Sequence, residues 1–186
     1  MKSVASLFLS RVDTLVDKQL EAAERTGGDA LALRTLHGRA GIALAKLAYR
    51  DYQKTFTSEA FAKLAVQGAA PQFMLWASTG TKNAAYSDVM YVESLIGPET
   101  INTVPDATLN AFRDHGKAAA TLEDGMADAQ AHFNALAKAG IPRDRGEMGC
   151  KQLKRMTKRI HLMVTRLNEG FADVLPPGAM AACFAK

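Results

Sequence analysis

Three short strand-like runs set what this chain can fold into: Val4-Ala5-Ser6-Leu7-Phe8-Leu9, Phe73-Met74-Leu75-Trp76-Ala77 and Thr100-Ile101-Asn102-Thr103. The first two are nearly continuous in apolar residues, without the alternation of a strand that has one wet face. They therefore read as strands buried on both faces. Each run is followed by a stretch with helical periodicity. Strand-then-helix, repeated, is the pattern of parallel β/α units, because parallel neighbours need a crossover and the crossover helices cover the sheet. The expected class is α/β. With 186 residues, 48% hydrophobic and 23% charged, the chain has the composition of a globular domain rather than a disordered or disulfide-framed one.

Between the runs, Leu15, Val16, Leu20 and Ala23 recur at helical spacing from Asp13 onward and stop at Gly27-Gly28. A second helical stretch spans about Asp29 to Phe56, weakened in its middle by Gly38 and Gly41. Ser58 is placed to cap a short helix through Val66. A helical segment from about Ser87 to Ile96 ends at Gly97-Pro98, and Pro105 can open the next helix, to His115. The sequence Thr121-Leu122-Glu123-Asp124 resembles a capping box opening a last helix that Gly140 closes. A closed eight-stranded β/α barrel needs about 250 residues, and three strands cannot close one. The expectation is part of an α/β domain.

Ligands of such folds sit at the carboxyl ends of the strands. The polar residues after each run are therefore the candidates: Ser10 and Arg11, then Ser78 to Asn83, then Asn102-Thr103. Arginine, lysine and hydroxyls converging there would suit a phosphate, since guanidinium grips it bidentately and ammonium adds a point charge. The plainer alternative is that Arg11 and Lys82 are solvated loop cations or pair with the neighbouring Asp13 and Asp88.

At these residues the chain resembles the bacterial transaldolases. The resemblance rests on Ser3 to Asp13 with Asp17-Lys18, and on Leu75-Trp76-Ala77-Ser78-Thr79-Gly80-Thr81-Lys82-Asn83 with Tyr86-Ser87-Asp88. It continues through Ile101-Asn102-Thr103-Val104-Pro105 with Ala107-Thr108-Leu109, and covers about Lys2 to Gly140. It implies the last three strands of a (β/α)8 barrel in residues 1–141. It also implies a transferase of the non-oxidative pentose phosphate pathway, moving a dihydroxyacetone unit from sedoheptulose 7-phosphate to glyceraldehyde 3-phosphate. The donor is held in that family as a Schiff base on a lysine, with no cofactor and no metal. That lysine and the family's catalytic carboxylates belong to strands preceding the matched segment, so no catalytic residue is expected here and the chain is expected to be inactive alone. What carries over is phosphate binding, by Arg11, Ser78 and Lys82. Sugar phosphates are the expected partners, with the missing N-terminal half-barrel or a second copy of the chain.

The net charge of +4 would ordinarily raise a polyanionic partner. Its location argues otherwise. From Pro142 to Lys186 there are nine basic and four acidic residues, a surplus of +5 that leaves −1 for everything before. Residues 142–186 lack the family's acidic amphipathic ending. They read either as a divergent basic helical tail able to act as a binding or assembly module, or as a sequence placed there by a frame change; a third reading makes the whole chain a non-functional remnant. The two cysteines, Cys150 and Cys183, are too few for a disulfide framework and lack the spacing of a zinc site. The apolar run at the N-terminus is shorter than the roughly 7–15 residues of a signal h-region, and a cytoplasmic location without nucleic-acid or membrane partners is expected.

Overall fold

A computed structural model describes residues 3–141. The tail assigned to residues 142–186, with Cys150 and Cys183, lies outside the described residues.

The three runs form one parallel sheet in the order β1 (Val4–Phe8), β2 (Phe73–Ala77), β3 (Thr100–Asn102). Leu7 is level with Trp76, and Trp76 with Asn102. Around the sheet run α1 (Leu9–Arg25), α2 (Ala30–Arg34), α3 (Ala40–Phe56), α4 (Glu59–Ala65), α5 (Met90–Glu93), α6 (Asp106–His115) and α7 (Met126–Lys138). No helix among the described residues is long and apolar enough to cross a membrane.

Strand residues alternate between faces, so Leu7, Met74 and Trp76 share one face and Val4, Phe73, Leu75 and Ile101 the other. The first face carries the core. Trp76 is buried there among Leu9, Ala45, Tyr49, Tyr52, Tyr91, Leu95 and Leu122. Tyr49, Tyr52, Phe56 and Phe61 continue it as a chain of ring contacts, with centroids 5.8, 4.9 and 4.8 Å apart. On the opposite face, Val4 and Ile101 remain 42% exposed. The expectation of strands buried on both faces is thus corrected: the described helices bury one face, and the other meets solvent.

Several helix limits also differ from the sequence reading, each for a tertiary reason. Helical structure starts at Leu9, directly after β1, so Ser10 and Arg11 belong to the first turn of α1. The stretch expected to be one helix over residues 29–56 is two, α2 and α3, separated at Gly38. Gly38 has φ +66° and lies against the Tyr86 ring, where an added Cβ would come within 2.7 Å. Glycine alone fits there without strain. Ser58 caps α4 as expected, its Oγ accepting from Phe61 N at 3.1 Å.

Thr121 does not open α7. Its hydroxyl donates to the Glu93 carbonyl and its amide to the Ile96 carbonyl at 3.0 Å. Lys46 Nζ reaches in to donate to the Thr121 and Asp124 carbonyls at 2.6 and 2.8 Å. Residues 121–124 are thereby a turn, and α7 begins after Gly125. Pro105 stands at the cap position, one residue before α6 begins.

Candidate functional site

The loops at the carboxyl ends of β1 and β2 are tied directly to each other. Ser10 N donates to the Ser78 carbonyl at 3.1 Å, and the Ser10 and Ser78 hydroxyls are 2.9 Å apart. Ser10 is buried, so this double link fixes the first turn of α1 against the end of β2. Ser78 has φ +57°, a left-handed conformation that is uncommon for a residue with a side chain. Its two neighbours hold it there. Ala77 is locked in β2, while Thr79, fully buried, donates from its hydroxyl to Asn102 Oδ1 at 2.9 Å. Strain kept in place by such surroundings is characteristic of ligand-holding positions.

Arg11 lies beside this rim with its guanidinium carbon 4.6 Å from the centre of the Phe8 ring. Stacking on an aromatic face leaves the N–H edges of the guanidinium available to a ligand. The first turn of α1 contains no acidic residue, so no side chain of that turn neutralises its partial positive charge. Arg11 and Ser78 therefore share one rim through Ser10. Lys82 stands apart. It is exposed, makes no ion pair or hydrogen bond among the described residues, and lines an open cavity of about 440 Å³ with Thr81, Asn83, Tyr86, Ser87 and Asp88. Neither Arg11 nor Ser78 lines that cavity.

Of the plainer alternative, the pairing with nearby carboxylates is not found, because both carboxylates are engaged elsewhere, whereas exposed side chains at Arg11 and Lys82 agree with solvated cations. Asp13 is buried and accepts from Gly41 N at 2.7 Å and from Tyr91 Oη at 2.6 Å. Asp88 meets His115 Nε2 at 2.9 Å.

Beneath the rim lies a buried polar network that periodicity does not single out. Asp17 accepts from Gly38 N at 2.9 Å and Tyr86 Oη at 2.7 Å, and approaches His37 Nδ1 at 3.6 Å. With Asp13 it ties α1 to the start of α3, to the segment preceding α5 and to α5 itself. Burial pushes the Asp13 carboxyl above its ordinary range despite the hydrogen bonds from Tyr91 and Gly41. Burial likewise raises the Tyr86 and Tyr91 hydroxyls, Asp17 and Asp13 adding to it, so both phenols remain protonated donors. Its sequence signal is two aspartates four residues apart on an otherwise apolar helix face, with glycines at the places they reach.

A family model for Transaldolase/Fructose-6-phosphate aldolase matches residues 1–156. It extends past Gly140, where the motif resemblance stops, into the segment expected to be foreign. The transaldolase of Thiobacillus denitrificans is 52% identical over 143 residues, which is 77% of this chain and 38% of that protein. Transaldolases of Neisseria meningitidis and Mycolicibacterium smegmatis are 51% and 50% identical over 138 and 141 residues, each match covering 36% of the relative. The chain thus spans less than two-fifths of the length of the curated relatives it matches. A family model over residues 1–156, with identity at about half of the aligned positions, places it: the chain belongs to the transaldolase/fructose-6-phosphate aldolase family.

Proposed function

We propose that this chain supplies the sugar-phosphate-binding part of a transaldolase active site, and that Arg11, Ser78 and Lys82 receive the phosphate. The observation carrying this reading is the Ser10–Ser78 link. It sets a guanidinium, a strained hydroxyl and the amino end of α1 on one rim of the sheet, in a family whose description includes an aldolase of fructose 6-phosphate. Phosphate oxygens match such a group of donors in charge and geometry. Lys82, nearby but outside that rim, adds a long-range attraction rather than a second grip. The dihydroxyacetone transfer itself proceeds in this reading through a Schiff-base lysine on the preceding strands, which activates the donor carbonyl as an electron sink. The partner is then a polypeptide bearing those strands.

Calorimetric titration with fructose 6-phosphate and with fructose tests the binding half. Hydrogen bonds to charged groups contribute about 1.5–3 kcal/mol, so Arg11→Ala should weaken fructose 6-phosphate binding by about 10- to 100-fold and leave fructose unaffected. Equal affinity of wild type and variant would refute the assignment. A coupled assay with fructose 6-phosphate and erythrose 4-phosphate tests the other half: the purified chain gives no turnover alone. Turnover appears when the unmatched N-terminal part of a relative is added.

A further inference from the structure

Lys82 belongs to no helix or strand. It lies between β2, which ends at Ala77, and α5, which begins at Met90. Irregular backbone lacks the repeated hydrogen bonds of a helix or sheet, so an exposed lysine on it keeps a fixed place only where the flanking residues are anchored. The turn directly after Lys82 is closed on itself. Tyr86 N donates to the Asn83 carbonyl at 3.1 Å, and Ala85 N donates to Asn83 Oδ1 at 2.9 Å. An asparagine side chain accepting from the amide two residues on is a local device that fixes such a turn.

What ties this turn to α1 is the Tyr86 side chain. Its hydroxyl donates to Asp17 Oδ2 at 2.7 Å, and its ring packs on Gly38 so closely that a side chain there would collide with it. A short bond to a carboxylate is stronger than one between neutral groups. Burial and the Asp17 carboxylate keep the Tyr86 proton in place, so the hydroxyl remains a donor. Asp17 stands on α1 six residues after Arg11, about 9 Å further along the helix axis. The helix that carries one cation of the rim therefore also carries the acceptor that holds the turn of the other.

The position of α1 does not depend on this bond. Asp13 fixes the helix by accepting from Gly41 N and Tyr91 Oη, Ser10 links it to Ser78, and Asp17 also accepts from Gly38 N. Loss of the Tyr86 hydroxyl would thus free the Lys82 turn without releasing Arg11. We propose that Tyr86 is a positioning residue, whose bond to Asp17 sets the distance between Lys82 and Arg11 so that the ammonium acts on the phosphate that the guanidinium grips. This rests on the reading of Arg11 and Lys82 as phosphate-binding residues. It adds that their spacing is set by a hydroxyl engaged with Asp17 rather than with the ligand.

Calorimetric titration with fructose 6-phosphate over a double-mutant cycle tests this. Lys82→Ala should weaken binding about fivefold, the upper end for an exposed charge, and Tyr86→Phe, which keeps the ring on Gly38, about threefold. Tyr86→Phe should cost nothing further in the Lys82→Ala background, yet cost the same factor in the Arg11→Ala background. A tyrosine that only supports the fold would weaken binding alike in both. Normal binding by Tyr86→Phe, or the same loss with and without Lys82, overturns the positioning role alone. Lys82→Ala binding like wild type instead refutes the phosphate assignment of Lys82, and the positioning role falls with it. Nitrogen relaxation of the wild-type chain decides the matter if Tyr86→Phe fails to fold: the Lys82 amide should have an order parameter of about 0.85, that of rigid backbone, and a value below about 0.6 overturns the proposal.

Discussion

Ser78 concentrates the tension between stability and binding at one residue. A non-glycine residue in the left-handed region costs about 1–3 kcal/mol, and its hydroxyl recovers part of that through the 2.9 Å contact with Ser10. Ser78→Gly removes strain and hydroxyl together, so its stability should stay within about 1 kcal/mol of wild type. Ser78→Ala keeps the strain, loses the hydroxyl, and should unfold at lower urea, by about 1 kcal/mol. If the hydroxyl contacts phosphate, both variants lose binding to the same extent, about tenfold, despite their different stabilities. Urea midpoints alongside fructose 6-phosphate titrations separate the two effects, and a Ser78→Gly protein that binds normally would show the residue to be structural only. The choice of serine over glycine at a position with φ +57° is itself an argument for the hydroxyl, since backbone geometry alone favours glycine.

At the scale of elements, α6 and the segment carrying Lys82 are joined by a titratable contact. His115, near the end of α6, places Nε2 2.9 Å from Asp88 and Nδ1 3.2 Å from Asp114. Only the imidazolium can donate from both nitrogens at once. Its pKa is accordingly raised from 6.5, by Asp88 first and Asp114 second. The contribution of this contact is complete below 6.5 and is lost as pH rises through the raised value. Proton NMR should find the His115 midpoint above 6.5, and Asp88→Asn should lower it more than Asp114→Asn. An unshifted midpoint would mean the contact does not persist in solution. The strands were legible in the sequence because uninterrupted apolar runs such as Phe73 to Ala77 admit few alternatives. Helix limits were less so. The break at Gly38 depends on Asp17, 21 residues away, accepting from its amide, and on the Tyr86 ring packed against it. The start of α7 depends on Lys46 taking the carbonyls of Thr121 and Asp124. Arg11 and Ser78 could be named as candidates from position after a strand, but their connection through Ser10 is a contact across 68 residues, and no local pattern encodes it. No local pattern marks His132 either: its unmet nitrogens follow from how α3 and α7 pack.

For the whole molecule, the decisive feature is a sheet of which the described helices cover one face. Val4, Phe73, Leu75 and Ile101 form an apolar surface opposite the core, and Val4 and Ile101 are each 42% exposed. Such a surface on a globular chain marks a place where something else packs. β1 and β3 also lie at the two edges of the described sheet, where unpaired backbone groups accept another strand. In a closed barrel both conditions disappear together, because neighbouring strands take the edges and inward side chains fill the interior. Apolar dye binding follows from this directly. The isolated chain should bind anilinonaphthalene sulfonate strongly and associate as its concentration rises. Adding the unmatched N-terminal part of the Thiobacillus denitrificans transaldolase should lower dye fluorescence several-fold and yield a complex of defined mass. Val4→Lys, placed on the open face, should reduce dye binding by the isolated chain and prevent the complex, while Leu31→Lys, at a surface position 79% exposed on α2, should do neither. A chain that is monomeric and dye-silent alone would show that its own residues cover this face, and the rim proposed to bind sugar phosphate would then need no second polypeptide to complete it.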